Sequence, residues 1–303
     1  MSASQRDVKT RIGSVKNIQK ITRAMEMVAA ARLRRAEQRI AVLRPYAGAI
    51  RRMTRQAAEA AGSSEIRNLP ILAEHDSEER VALLLVTGDR GLAGAFNSQI
   101  VRAGLRAGRE YEGAGQTVLY SAAGRRGVST LSFRGKDPVG RYVGFTDRPS
   151  YDDARTIAED LMAAYVDGKA DRVEIFYNGY ISPLTQEVRR ETLLPLQQAT
   201  ILEGSEDDDG ADEQGGQRAL VDYEPDPTEI LARLIPDYVE ISVYRALLES
   251  TASEHGARMT AMRNASENAG ELIEDLTLEM NRARQAEITQ EIMEVVAGAE
   301  SLT

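Results

Sequence analysis

Apolar positions fall into three regimes along the chain. Over residues 5–57 they recur at helical spacing. Ile18, Ile21, Met25 and Val28 are spaced 3, 4, 3, which at ~100° per residue gathers them within about 80° of one another. Lys16, Lys20 and Arg23 fall roughly opposite. Leu33, Ala36, Ile40 and Leu43 repeat the spacing after a phase slip. The pattern predicts one helix of fifty-odd residues, ~75 Å long, with Pro45 kinking or interrupting it near its far end. Toward the other end, Met259, Met262, Ser266, Ala269, Ile273, Leu276, Met280 and Ala283 alternate 3 and 4 over more than three heptads. That is the seam of a left-handed coiled coil, with small residues that admit a close partner. Glu287 breaks the seam, and Ile288, Ile292, Val295 and Val296 form a separate stripe beyond it.

The middle of the chain follows a different rule. Arg80–Thr87 is a continuous apolar run, as expected of a buried parallel strand. The turn GDRGLAGAFN (Gly88 to Asn97) follows, then a helical stretch to about Glu112. Thr117–Ala122 reads as a second strand and Arg141–Phe145 as a third. A helix is expected over Tyr151–Val166, with Ser150 as N-cap and Asp153 at the third helical position. Arg172–Tyr177 and Glu187–Leu193 read as a hairpin. The fold class is therefore α/β: a small Rossmann-like, doubly wound domain between two terminal helices that pair as a long antiparallel coiled coil. The expected organisation is a helix over 1–60, a globular domain over 61–226 and a second helix over 227–303.

Composition narrows the chemistry. The 303 residues include no cysteine and two histidines, His75 and His255. Thiolate chemistry and Cys-ligated zinc are excluded, and Ser-His-Asp catalysis has little to draw on. No apolar run approaches the ~18 residues of a membrane span, and no secretory signal is read at the start. Charge is polarised: residues 1–60 carry 14 Lys and Arg against 4 Asp and Glu, in a chain whose net charge is −9. A binding role for the first segment follows. The acidic, glycine-flanked stretch 203–217 is expected to be a disordered loop.

Gly88, Gly91 and Gly94 lie between a strand and a helix, as in dinucleotide folds. Their spacing is G-x-x-G-x-x-G, and no acid ends the second strand, so a tight packing turn is the better reading. No G-x-x-x-x-G-K-[ST] occurs. No catalytic, cofactor or metal site is assigned.

Several segments together carry a resemblance: Ile12–Lys16 (IGSVK), Ile18–Arg39 (IQKITRAMEMVAAARLRRAEQR), Asp89–Asn97 (DRGLAGAFN), Ala252–Ala261 (ASEHGARMTA) and Asn281–Val296 (NRARQAEITQEIMEVV). In order and spacing the chain resembles the γ subunit of the F-type ATP synthase over nearly its whole length. It departs in the acidic insert around Glu203–Gln217 and at Pro236. The resemblance implies a rotor shaft, one copy per complex, within a ring of α and β subunits, and a foot that binds the ε subunit and the membrane c-ring. The implied role is non-catalytic: coupling proton flow to ATP synthesis at β-subunit sites, on the cytoplasmic side of a bacterial cell membrane. It implies β-subunit contacts at Lys20, Arg23, Met25, Arg32, Arg35, Arg284, Gln285 and Thr289. It also implies sleeve contacts at Ile288, Ile292, Val295 and Val296, and ε or c-ring contacts at Tyr223, Glu224 and Asp226. Two rival classes are a basic coiled-coil nucleic-acid-binding protein, which explains the positive first segment, and a nucleotide-binding α/β enzyme, which explains the glycine turn.

Overall fold

The computed structural model describes residues 5–61, 69–72, 75, 77–196 and 226–300. Tyr223, Glu224 and the acidic stretch 203–217 lie outside them. The chain forms two compact units, one of residues 31–257 and one of 1–30 with 258–303. The elements in order are α1 (Gln5–Ala61), β1 (Arg80–Val86), α2 (Phe96–Gly113), β2 (Thr117–Ala123), α3 (Arg125–Phe133), β3 (Gly140–Tyr142), α4 (Tyr151–Val166), β4 (Arg172–Tyr180), β5 (Gln186–Leu194) and α5 (Pro227–Glu300).

In the unit 31–257 the sheet order is β3-β2-β1-β4-β5. β3, β2, β1 and β4 are mutually parallel, and β5 runs antiparallel beside β4. β1 is central, which accounts for its uninterrupted apolar run: Val81 through Val86 are all buried. Its two faces feed separate cores. Ala82, Leu84 and Val86 pack with Ile157, Leu161, Tyr165, Ile175 and Val243, whereas Val81, Leu83 and Leu85 pack with Ile100, Tyr120, Leu131 and Phe176. The expected cap of α4 is present. The Ser150 hydroxyl accepts the Asp153 N–H, and the Asp153 carboxylate accepts the Ser150 N–H at 2.8 Å. Helix α3 escaped the sequence reading. RRGVSTLSF is short and rich in weak helix formers, yet Gly127 and Leu131 bury it against the sheet.

The unit of 1–30 with 258–303 is an antiparallel helix pair, as the heptad spacing predicts. Val8 and Ile12 cluster with Leu276, Gln19 Nε2 donates to the Ser266 carbonyl at 3.3 Å, and Glu26 pairs with Arg263 at 2.9 Å. The α5 seam lies where the pattern put it: Met262, Ala269 and Leu276 are buried, with Ser266, Ile273, Met280 and Ala283 partly so. The α1 stripe does not. Ile18, Ile21 and Val28 are exposed by 54%, 59% and 53%, and Met25 is only partly covered. The seam residues are Val8, Ile12, Val15, Gln19, Thr22, Glu26 and Ala29. Their 4, 3 spacing continues into Leu33, Ala36, Ile40 and Leu43, so no phase slip exists. The reason is chemical. Small Ser266, Ala269 and Gly270 face this stretch, and an amide can lie there with its donor satisfied. A Cβ placed on Gly270 would stand 3.2 Å from Gln19 Nε2.

Pro45 does not interrupt α1, which runs as helix through it. The carbonyl that Pro45 cannot serve is that of Ala41, and both residues are exposed. Water can take the missing bond there.

Candidate functional site

The strand order reverses between β1 and β4, and the carboxyl ends of these strands are where an open α/β sheet usually holds its ligand. Residues 251–255 of α5 lie over that place. The Thr251 hydroxyl donates to the Thr146 carbonyl at 2.9 Å, and the Ser253 hydroxyl to the Asn178 carbonyl at 3.1 Å. Gly88 comes so close that an added Cβ would lie 2.7 Å from the Glu254 carboxyl carbon. The turn after β1 is tied to the fold rather than left open. Asn97 accepts the Gly88 N–H at 2.8 Å. The Asp89 carboxylate accepts N–H bonds from Arg125, Gly144 and Thr146 at 2.9, 2.9 and 3.2 Å, and the Thr146 hydroxyl at 3.0 Å. An internal anion thus caps α3, whose first three N–H groups are engaged by Asp89, the Gly88 carbonyl and the Thr87 hydroxyl. Burial works against the charge of Asp89, but these bonds outweigh it and hold the carboxyl below the usual carboxylate range. The glycine turn is a packing turn, as read from its spacing. The roles of Asp89, Asn97, Thr251 and Ser253 had no signal in the sequence, because their partners lie 9 to 105 positions away.

Two further polar clusters are engaged within the fold. His75 Nδ1 lies 2.8 Å from Asp171 and its ring stacks on Tyr165 at 4.6 Å. Asp171 also accepts the N–H groups of Glu79 and Arg80. Arg245 bridges Glu191 at 2.6 Å and Glu249 at 3.4 Å beside Tyr177. Burial disfavours its charge, but the two carboxylates and the phenol prevail and raise its pKa. Among the described residues no group of acids and histidines has the arrangement of a metal site.

The contact residues implied by resemblance sit mainly on outward faces. Lys20, Arg23, Arg35, Arg284, Gln285 and Thr289 are exposed, and Met25 is partly covered. Arg32 is the exception: it is ion-paired with Asp147, whose other oxygen is 3.7 Å from buried His255. Arg35 stands with Tyr46, Tyr151 and Tyr244 around a cleft of about 560 Å³. Ile288, Ile292, Val295 and Val296 are 47% to 72% exposed. Asp226 caps α5, accepting the Thr228 N–H at 2.8 Å, with Pro227 at the first helical position.

Comparison with known proteins decides between the readings. The family model described as ATP synthase matches residues 4–302. The ATP synthase gamma chain of Rubrobacter xylanophilus is 46% identical over 300 residues, covering 99% of both chains. That of Streptomyces coelicolor is 42% identical, covering all of this chain and 97% of its own. The chain belongs to the ATP synthase gamma-chain family. Among solved structures, the central stalk and c-ring of the Tetrahymena thermophila mitochondrial ATP synthase matches with a TM-score of 0.58 at 26% identity, over 81% of this chain and 99% of that one. The Euglena gracilis mitochondrial rotor shares the fold, with a TM-score of 0.65 at 20% identity over 94% and 98% of the two chains. The family's gamma chain is a rotor subunit and not a catalytic one. Neither rival class gains support. Among the described residues no helix is long and apolar enough to cross a membrane.

Proposed function

We propose that this chain is the central shaft of a proton-driven F1 complex, peripheral on the cytoplasmic side of a bacterial cell membrane. Residues 1–60 and 227–303 serve as shaft and 61–226 as foot. The observation that carries this reading is the helix pair whose seam is turned inward while Lys20, Arg23 and Arg284 face out. Such charges suit a sliding contact, since an exposed ion pair is worth only ~0–1 kcal/mol and reforms readily with the next partner. The acidic loops of three β subunits are the partners for Lys20, Arg23 and Arg35, with Met25 among them; Arg32 can join only by leaving or sharing Asp147. Arg284, Gln285 and Thr289 meet a β-subunit loop. Ile288, Ile292, Val295 and Val296 lie within an apolar sleeve formed by the α and β subunits. Tyr223, Glu224 and Asp226 meet ε and the c-ring. Rotation works by contacts that differ from one β subunit to the next, shifting each between conformations.

The test is Arg284→Glu in the reconstituted complex, with synthesis, hydrolysis and melting of the free chain measured together. Synthesis should fall while the stability of the free chain, read from its melting, changes by no more than the ~0.5 kcal/mol usual for surface positions. Normal coupling removes Arg284 from the contact set. Copurification of a tagged chain should return α, β and ε subunits; nucleic acid in their place would restore the basic-coil reading.

A further inference from the structure

A second concavity lies in the unit 31–257, away from the filled crevice, where α1 residues 40–52 face α5 residues 245–249. It measures about 440 Å³, a volume suited to a small molecule, whereas a protein partner needs some 800 Å² of surface. Its wall is apolar at Leu43, Pro45 and Leu248, cationic at Arg44, Arg51, Arg52 and Arg245, and carries one carboxylate, Glu249. Arg44, Arg51 and Arg52 recur at i, i+7 and i+8 and so share one helical face. Arg245 is already held by Glu191 and Glu249, and the Glu249 carboxylate is shared between Arg245 and Arg189. Neither Arg44 nor Arg52 has a carboxylate within ion-pair distance among the described residues, and both are exposed. Gly48 keeps the floor open beneath them: a Cβ there would stand 3.3 Å from Arg52 Nη1. Glycine in a helix interior costs about 1 kcal/mol relative to alanine, and here it leaves room for the guanidinium.

Forked, permanently charged donors around one hollow match the oxygens of phosphate, which each fork can bind through two parallel bonds. We propose that this cleft binds a phosphate-bearing small molecule, with Arg44 and Arg52 holding the phosphates and the Leu43–Leu248 wall taking an apolar portion. A nucleotide and an anionic lipid headgroup share that chemistry.

The experiment titrates the full-length chain with inorganic pyrophosphate and with ADP, and separately floats it with phosphatidylcholine vesicles with and without phosphatidylglycerol. Saturable binding of one pyrophosphate, weakening as salt rises, is expected. Arg44→Gln with Arg52→Gln should weaken it at least tenfold with no change in melting midpoint. Gly48→Leu should do the same with every charge retained, by filling the cleft and displacing Arg52. ADP binding more tightly than pyrophosphate identifies a soluble ligand that uses the apolar wall. Binding to the anionic vesicles that pyrophosphate displaces and the double variant loses identifies a lipid source of the same phosphate. Failure of pyrophosphate to saturate by ~1 mM, an affinity of about 4 kcal/mol, overturns the site. So does binding, to pyrophosphate or vesicles, that survives both variants. Either result leaves the rotor reading untouched.

Discussion

The helix pair and the α/β unit are held by different kinds of interior. Around β1, large side chains such as Leu83, Leu84, Leu85, Ile157, Ile175 and Tyr165 lie wholly out of water. In the pair, the seam alternates Val8, Ile12 and Leu276 with Gln19, Thr22, Ser266 and Ala269. Each turn of the pair therefore removes little apolar surface from water, and its stability is spread thinly over many similar layers. The sheet unit concentrates its apolar burial in two dense clusters, one on each face of β1. A shaft made of equal thin layers has no single weak joint. A domain with a dense centre keeps the positions of its loops.

Substitutions of like size should separate the two regimes. Leu84→Ala, in the densest region, should cost about 3–4 kcal/mol through lost transfer energy and an unfilled cavity, read as a large drop in the denaturant midpoint. Asp89→Ala should follow at about 2–3 kcal/mol, because it strips a charged acceptor from several backbone donors. Its effect should also depend on pH. The Asp89 carboxyl is held below its ordinary range, so its contribution is complete above the unfolded value near 3.9 and disappears as pH falls through the lower folded value. The gap between wild type and variant should therefore close in acid, and a gap unchanged at pH 2 would disprove the assignment. Leu276→Ala, in the thin seam, should cost only about 2 kcal/mol, since its neighbours can close around the loss. Ile18→Gln with Ile21→Gln should change stability by no more than ~0.5 kcal/mol, as both lie outside the seam. A cost near that of Leu276→Ala would return them to the core.

The parts legible in the sequence were those decided by local pattern. The continuous run of β1 announced a strand covered on both faces, Ser150 and Asp153 announced the start of α4, and the α5 heptads announced their own seam. Local pattern failed wherever tertiary neighbours chose the residue. Gln19 and Thr22 hold interior positions because small residues oppose them, while the more hydrophobic Ile18 and Ile21 face out, so hydrophobic spacing points one residue away from the true seam. Helix α3 has weak intrinsic propensity and exists because Leu131 is buried. Asp89 acts through groups 36 to 57 positions distant, beyond the reach of any motif. The contact residues of the shaft came from resemblance alone, since a face that waits for a partner looks like any solvated charge pattern.

The seating of α5 over the ends of β1 and β4 has a mechanical consequence. Thr251, Ser253 and Glu254 leave the helix at azimuths that, at ~100° per residue, spread over most of its circumference. Each meets a different wall: the loop before α4, the end of β4 and the turn after β1. A helix lying on a sheet by one greasy stripe can roll about its own axis and exchange one set of contacts for another. This one cannot roll without breaking a buried hydrogen bond or driving a carboxylate into backbone. It is fastened like a splined axle, with its angular setting fixed as firmly as its depth. The place where related folds receive a cofactor has become a torsional lock.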